Sequence, residues 1–229
     1  MAMRPREIFP NIFKLDIDDR VTLATRNLTP GLTVYGEELI IVEGFEYRSW
    51  NPYRSKLAAA ILKGLTKSPF SDSDKVLYLG VASGTTCSHI SDIVGLNGHI
   101  WGVDFAPRSM RDMITKVASH RGNVSPILGD ARNPSSYGQI VPEVDLIYAD
   151  VAQPNQAIIA VNNAKFFLKS GGLLVIAIKS RSVDVSLSPN RVYTSQIGIL
   201  EEGGFNILEF LRLDPYERDH AMVIAKYTT

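Results

Sequence analysis

The chain has 229 residues, room for one domain of ordinary size and a small appendage. With 45% hydrophobic and 21% charged residues it has the composition of a soluble globular protein, which excludes a disordered or fibrous chain. Its 24 Lys and Arg are cancelled by 24 Asp and Glu, which excludes a protein that grips nucleic acid by bulk positive charge alone; any such affinity has to come from a local patch or from partners.

Met1 to Glu7 is basic and contains proline, without the apolar stretch of a secretory signal, and no apolar run reaches the length of a bilayer-spanning helix. From Ile12 to Ser49 the pattern is one of short β-rich pieces: Ile12 to Leu15, Val21 to Ala24, Leu39 to Val42 and Phe45 to Arg48. Turn residues Asp18-Asp19, Pro30-Gly31 and Glu43-Gly44 separate them, so a small antiparallel module is expected over residues 1–51. Asn51-Pro52 breaks that pattern, and apolar residues at Leu57, Ala60, Ile61 and Leu65 give Ser55 to Leu65 a helical spacing. After Asp74 strands alternate with helices, which predicts a parallel doubly wound sheet over residues 52–229. Its seven strand candidates are Val76 to Leu79, His99 to Val103, Val124 to Leu128, Val144 to Tyr148, Gly172 to Ile178, Phe205 to Leu211 and Ala221 to Tyr227. The last two have no helix-length connection between them and are expected to pair antiparallel at the sheet edge. The single cysteine, Cys87, excludes an internal disulfide or a multi-cysteine metal site, fits a reducing compartment and reads as a small buried apolar residue.

Polar loops follow four of these strands. Gly80-Val81-Ala82-Ser83-Gly84-Thr85-Thr86 runs straight out of Leu79; glycines there permit a sharp turn and close approach of backbone. The spacing G-x-x-x-G differs from the G-x-G-x-x-G of dinucleotide enzymes and suits the amino-acid end of S-adenosylmethionine better than a pyrophosphate. Asp104 follows the second strand, where a carboxylate can bind both ribose hydroxyls, and Phe105 offers an apolar face to adenine. Gly129-Asp130-Ala131 follows the third strand, with Asp130 able to accept from the adenine amino group, and Asp150-Val151-Ala152-Gln153 follows the fourth. Taken singly, a structural turn accounts for the glycine pair and a helix N-cap before Pro107 accounts for Asp104. Four such clusters at the C-terminal ends of successive strands converge on one crevice, where open parallel sheets bind ligands.

These residues resemble the fibrillarin family in its short archaeal form, along nearly the whole chain. The resemblance is carried by Glu46-Tyr47-Arg48, Trp50-Asn51-Pro52, Arg54-Ser55-Lys56-Leu57-Ala58-Ala59, Leu77-Tyr78-Leu79-Gly80, Ala82-Ser83-Gly84-Thr85-Thr86, Asp214-Pro215-Tyr216 and Asp219-His220-Ala221. Its most specific block is Tyr148-Ala149-Asp150-Val151-Ala152-Gln153-Pro154-Asn155-Gln156. Asp104 departs from the family's glutamate but retains the carboxylate. The glycine- and arginine-rich tail of eukaryotic relatives is absent, so the expected location is cytoplasmic rather than nucleolar. The resemblance implies an α/β, Rossmann-like S-adenosylmethionine-dependent methyltransferase fold, with a seven-stranded, mostly parallel sheet and the small N-terminal β-rich domain. It further implies methylation of ribose 2′-hydroxyls in rRNA and tRNA within a box C/D guide RNA particle, beside a Nop-family scaffold and a kink-turn-binding protein related to a ribosomal protein.

Methylating a ribose hydroxyl requires aligning a poor nucleophile and managing its proton. Related ribose methyltransferases use a Lys-Asp-Lys-Glu constellation, and the matching positions are Lys56, Asp150, Lys179 and His220, histidine replacing glutamate. Lys179 is expected to act as base or hydroxyl orienter, Asp150 to position it and balance the sulfonium charge, and Lys56 and His220 to support them. Each has a plainer account as a solvated helix residue, a strand-end charge or a turn histidine. Arg48, Arg54, Arg181 and Arg191 are candidate phosphate contacts. The β-rich module is expected to dock a protein partner, and its removal to spare cofactor binding. The competing readings are a methyltransferase for another substrate, a non-catalytic assembly subunit and, weakest, a nicotinamide oxidoreductase.

Overall fold

The computed structural model describes residues 4–17 and 20–229; the expected turn at Asp18-Asp19 lies outside them. Five strands form an antiparallel N-terminal sheet: β1 (Pro5–Phe9), β2 (Ile12–Ile17), β3 (Arg20–Arg26), β4 (Leu39–Val42) and β5 (Phe45–Ser49), in the order β1-β2-β3-β5-β4. The first of these was not expected from the sequence, where Pro5 and alternating charge disguise an edge strand. Val42 pairs with Phe45, so Glu43-Gly44 is a two-residue hairpin turn with φ of 52° and 81°. Left-handed values at both positions match the right-handed twist of the flanking strands.

The remaining strands are β6 (Lys75–Leu79), β7 (His99–Asp104), β8 (Val124–Leu128), β9 (Val144–Ala149), β10 (Leu168–Lys179), β11 (Phe205–Arg212) and β12 (His220–Tyr227). They form a seven-stranded sheet in the order β11-β12-β10-β9-β6-β7-β8. The five strands from β10 to β8 run parallel; β12 is antiparallel to both β10 and β11, as expected of the closing pair. Strands β6, β9 and β10 read as nearly continuous apolar runs because helices cover both faces. On one face lie α1 (Lys56–Leu62), α2 (Thr85–Val94) and α3 (Pro107–Met113), on the other α4 (Gln156–Phe167); a short α5 (Ser180–Val183) leads to α6 (Pro189–Glu202), which packs on the same side as α4. After β6 the chain builds outward through β7 and β8, then returns to place β9 on the other side of β6. This reversal opens a crevice above the C-terminal ends of β6 and β9. Among the described residues, no helix is long and apolar enough to cross a membrane.

The N-terminal sheet does not build a separate core. Ile12, Leu23, Val34 and Trp50 belong to the same buried cluster as α1, α2 and β6, and only Leu15, Ile17, Ala24, Ile40, Val42 and Tyr47 form a small cluster of their own. Helix α2 is buried all round, between the two sheets, so its polar side chains must be satisfied inside the protein. Asp92 accepts from Thr25 Oγ1 at 2.7 Å, Arg48 Nη1 at 2.8 Å, Arg121 Nη1 at 2.6 Å and the Leu28 amide at 3.1 Å. Arg48 also donates from Nε to Glu37 at 2.7 Å and from Nη2 to Ser88 at 2.8 Å. The His89 ring stacks on Trp50 and contacts Thr25 Oγ1 and the Tyr35 hydroxyl at 2.8 Å each. A neutral ring donating to Thr25 and accepting from Tyr35 satisfies both contacts, and burial, reinforced by Arg48 and Arg121, pushes the His89 pKa well down. These contacts tie the N-terminal sheet to the larger one.

Candidate functional site

The crevice has a volume of about 330 Å³, in the range of small-molecule sites. Loops after four successive parallel strands line it: Gly80 and Ala82 after β6, Asp104 and Phe105 after β7, Gly129 to Arg132 after β8, and Asp150 to Gln153 after β9. Ile159 and Lys179 complete the wall. Gly80 has φ +79°, and a Cβ there would stand 2.8 Å from the Asp150 carbonyl oxygen. The glycine therefore lets the two central loops touch each other. Ala82 holds a left-handed φ of 48°, and its amide donates to Asp104 Oδ2 at 2.8 Å. Asp104 Oδ1 accepts from the Ala106 amide at 2.9 Å, so the carboxylate ties the first loop to the start of α3. Each oxygen keeps a second lone pair for a ligand hydroxyl. Phe105 is 66% exposed at the crevice wall, an apolar face open to a planar ring.

Asp130 is engaged by Arg132, which donates from Nη2 at 2.6 Å and from Nε at 2.9 and 3.0 Å. Those hydrogen bonds hold its carboxyl below the usual range. Arg132, Val103 and Ile159 line the crevice without having been singled out in the sequence. Arg132 had a signal, adjacency to Asp130-Ala131, whereas Ile159 lies on α4 and is brought in only by packing.

The rest of the first loop faces elsewhere. Gly84, φ +90°, packs against α3 and the turn after it, and an added Cβ would stand 2.5 Å from Val117 Cγ2. Thr86 Oγ1 donates to Ser55 Oγ at 3.0 Å, and Ser55 caps α1 by accepting from the Ala58 amide. Thr86 thus reinforces the cap that sets Lys56 at the start of α1. Ser83 and Thr85 line a neighbouring cavity with Val34, Tyr35, Arg54 and Lys116.

Lys56, Asp150 and Lys179 come together although 94 and 29 positions separate the lysines from the aspartate. Lys179 Nζ lies 2.8 Å from Asp150 Oδ1 and donates to the Asp150 carbonyl at 2.7 Å. Lys56 Nζ is 3.3 Å from both carboxylate oxygens. Oδ1 is buried within ion-pair range of both ammonium groups but off the direction of a hydrogen bond from either. The arrangement is a carboxylate between two lysines. His220 is the cross-strand partner of Lys179, which puts their side chains on one face, but it hydrogen bonds the Arg218 carbonyl and does not line the crevice.

One candidate phosphate contact is corrected. Arg48 is fully buried and spent on Glu37, Asp92 and Ser88, because α2 leaves those polar groups no water. Arg54 and Arg191 are exposed, and Arg181 is half-exposed and pairs with Asp219 at 3.0 Å. Cys87 is buried, which pushes its thiol up to about 12.

A reversed parallel sheet, a glycine-hinged loop after its first central strand and a carboxylate after the next define a Rossmann-like methyltransferase fold. The fibrillarin family model matches residues 3–229, and the chain belongs to that family. A relative from Sulfurisphaera tokodaii, the fibrillarin-like rRNA/tRNA 2′-O-methyltransferase, is 53% identical over 96% of this chain and 94% of its own. Fibrillarin of Aeropyrum pernix, solved with natively bound S-adenosyl-L-methionine, superposes with a TM-score of 0.91 at 51% identity, covering 98% of each chain. The fibrillarin of a fibrillarin/Nop5p complex superposes with a TM-score of 0.86 at 41% identity, over 98% of this chain and all of the other.

Proposed function

We propose that this chain is an S-adenosylmethionine-dependent ribose 2′-O-methyltransferase acting on rRNA and tRNA as the catalytic subunit of a box C/D ribonucleoprotein. The observation that carries the reading is the Lys56–Asp150–Lys179 cluster bordering a crevice whose donor set suits that cofactor. Asp104 would hold the ribose hydroxyls, Phe105 the adenine face, Asp130 and Ala131 the adenine edge, and Gly80, Ala82 and Asp150 to Gln153 the amino-acid end. The carboxylates of the crevice also suit a cationic ligand better than a pyrophosphate. When bound, S-adenosylmethionine supplies an electrophilic methyl group on a sulfonium.

Lys179 orients the substrate hydroxyl by donating to its oxygen, and Lys56 holds Asp150 from the other side. Asp150, which lines the crevice between the two lysines, receives the hydroxyl proton. His220 flanks Lys179 as a support. A Nop-family scaffold, guide RNA and a kink-turn-binding protein complete the particle; a chain of zero net charge gains its grip on RNA through them.

The test is mass spectrometry of RNA incubated with isotopically labelled cofactor and the particle reconstituted with and without guide RNA. Label at the 2′-oxygen of the guide-specified nucleotide is expected. Label in protein, or none in RNA, overturns the reading.

A further inference from the structure

The second cavity, about 380 Å³, adjoins the crevice: Ala82 lines one and Ser83 the other, and Arg54 stands two positions before Lys56. No carboxylate is in its lining among the described residues, whereas Arg54 and Lys116 contribute two cations and Ser83 and Thr85 two hydroxyl donors. Arg54 is preorganised. Its Nη1 donates to the Tyr35 carbonyl at 3.1 Å, and its guanidinium lies over the Tyr35 ring, 5.5 Å from the centroid. The Tyr35 hydroxyl is in turn anchored at His89, so the arginine rests on a rigid platform. Among the described residues Arg54 makes no ion pair, which leaves its other N–H groups for a ligand oxyanion. Lys116 pairs with Asp112 at 3.6 Å, with both side chains about half exposed, and such a surface pair is readily exchanged for a stronger anion.

We propose that this cavity is a phosphate subsite, in which Arg54 and Lys116 seat a phosphodiester of the RNA strand whose ribose is presented to the crevice. The inference rests on the ribose methyltransferase reading and adds to it how the substrate backbone is registered against the reacting hydroxyl. Phosphate contacts of this kind set position rather than sequence, which suits an enzyme whose sequence choice is delegated to a guide. The cofactor's carboxylate offers similar oxyanion chemistry, and the cofactor affinity of each variant distinguishes the two ligands.

The experiment uses full-length Arg54→Ala, Lys116→Ala and Arg54→Lys chains, each reconstituted with scaffold, kink-turn protein and guide RNA. Binding of fluorescently labelled substrate RNA is followed across a salt series, and S-adenosylmethionine affinity of each isolated chain is measured by calorimetry. Each alanine variant is expected to lower the slope of log affinity against log salt by about 1, independent of RNA sequence, with cofactor affinity unchanged. Arg54→Lys should keep the wild-type slope, since the charge is retained. Wild-type slopes in both alanine variants overturn the proposal. Weakened cofactor binding with an unchanged slope also overturns it and assigns the cavity to the carboxylate. A wild-type particle that binds RNA without methylating ribose defeats the functional reading, while the slopes still decide the subsite.

Discussion

Replacing Lys179 with methionine keeps the length and apolar stem of the side chain and removes only the ammonium. Asp150 then loses the ion pair at 2.8 Å and the 2.7 Å hydrogen bond to its carbonyl, while Lys56 at 3.3 Å remains. Charge-assisted hydrogen bonds are worth about 1.5–3 kcal/mol each, and both side chains retain some contact with solvent, so the stability loss should be about 1–3 kcal/mol. Against a typical folding free energy of about 5–15 kcal/mol the variant stays overwhelmingly folded. The chemical step is a different matter, because Lys179 aligns the attacking hydroxyl, and misplacing a reacting group by about 1 Å can cost about 10²-fold in rate. A fall of that size cannot arise from a few per cent of unfolded chain. Single-turnover transfer by the reconstituted particle at saturating cofactor isolates this step from binding. A rate within a few-fold of wild type, with RNA binding intact, would refute the role assigned to Lys179 and direct attention to Lys56 and His220.

Three further outcomes are expected. Asp92→Ala removes the shared partner of Arg48 and Arg121 in a dry interior and should destabilise the fold by about 3–5 kcal/mol in chemical denaturation; a loss below about 1 kcal/mol would show that the network is dispensable. Gly80→Ala forces a Cβ against the Asp150 carbonyl and should weaken both S-adenosylmethionine binding in calorimetry and methyl transfer, whereas wild-type values would mean the two loops can part freely. His89 is held neutral in the folded protein and protonates more readily when unfolded, so its contribution is complete above the ordinary histidine pKa of about 6.5 and is lost as pH falls below it. Denaturation midpoints should therefore drop between neutral and mildly acidic pH, and do so less steeply in His89→Gln; equal slopes would remove His89 as the cause.

Much of this protein is legible in local sequence. Period-2 and period-3.6 patterns and turn residues place all seven strands of the large sheet within a few residues, because an apolar stripe and a breaker act over distances shorter than an element. The loops after Gly80, Asp104, Asp130 and Asp150 were equally readable, since parallel topology sends every strand end to the same rim. Only the tertiary structure decided which of those residues meet. Gly84 and Thr86 sit in the motif yet serve the packing of α3 and the cap of α1, and Arg48 looks like a surface cation yet is sealed between Glu37 and Asp92. Family resemblance apart, no local pattern around Lys56 reveals that its ammonium will lie 3.3 Å from Asp150, because that contact depends on how α1 and β9 are carried together by a core that joins both sheets. Local sequence sets each residue's chemistry and the element that bears it. Partners far apart in the chain are chosen by burial, which forces each charge removed from water to find whatever opposite charge the packing has brought beside it.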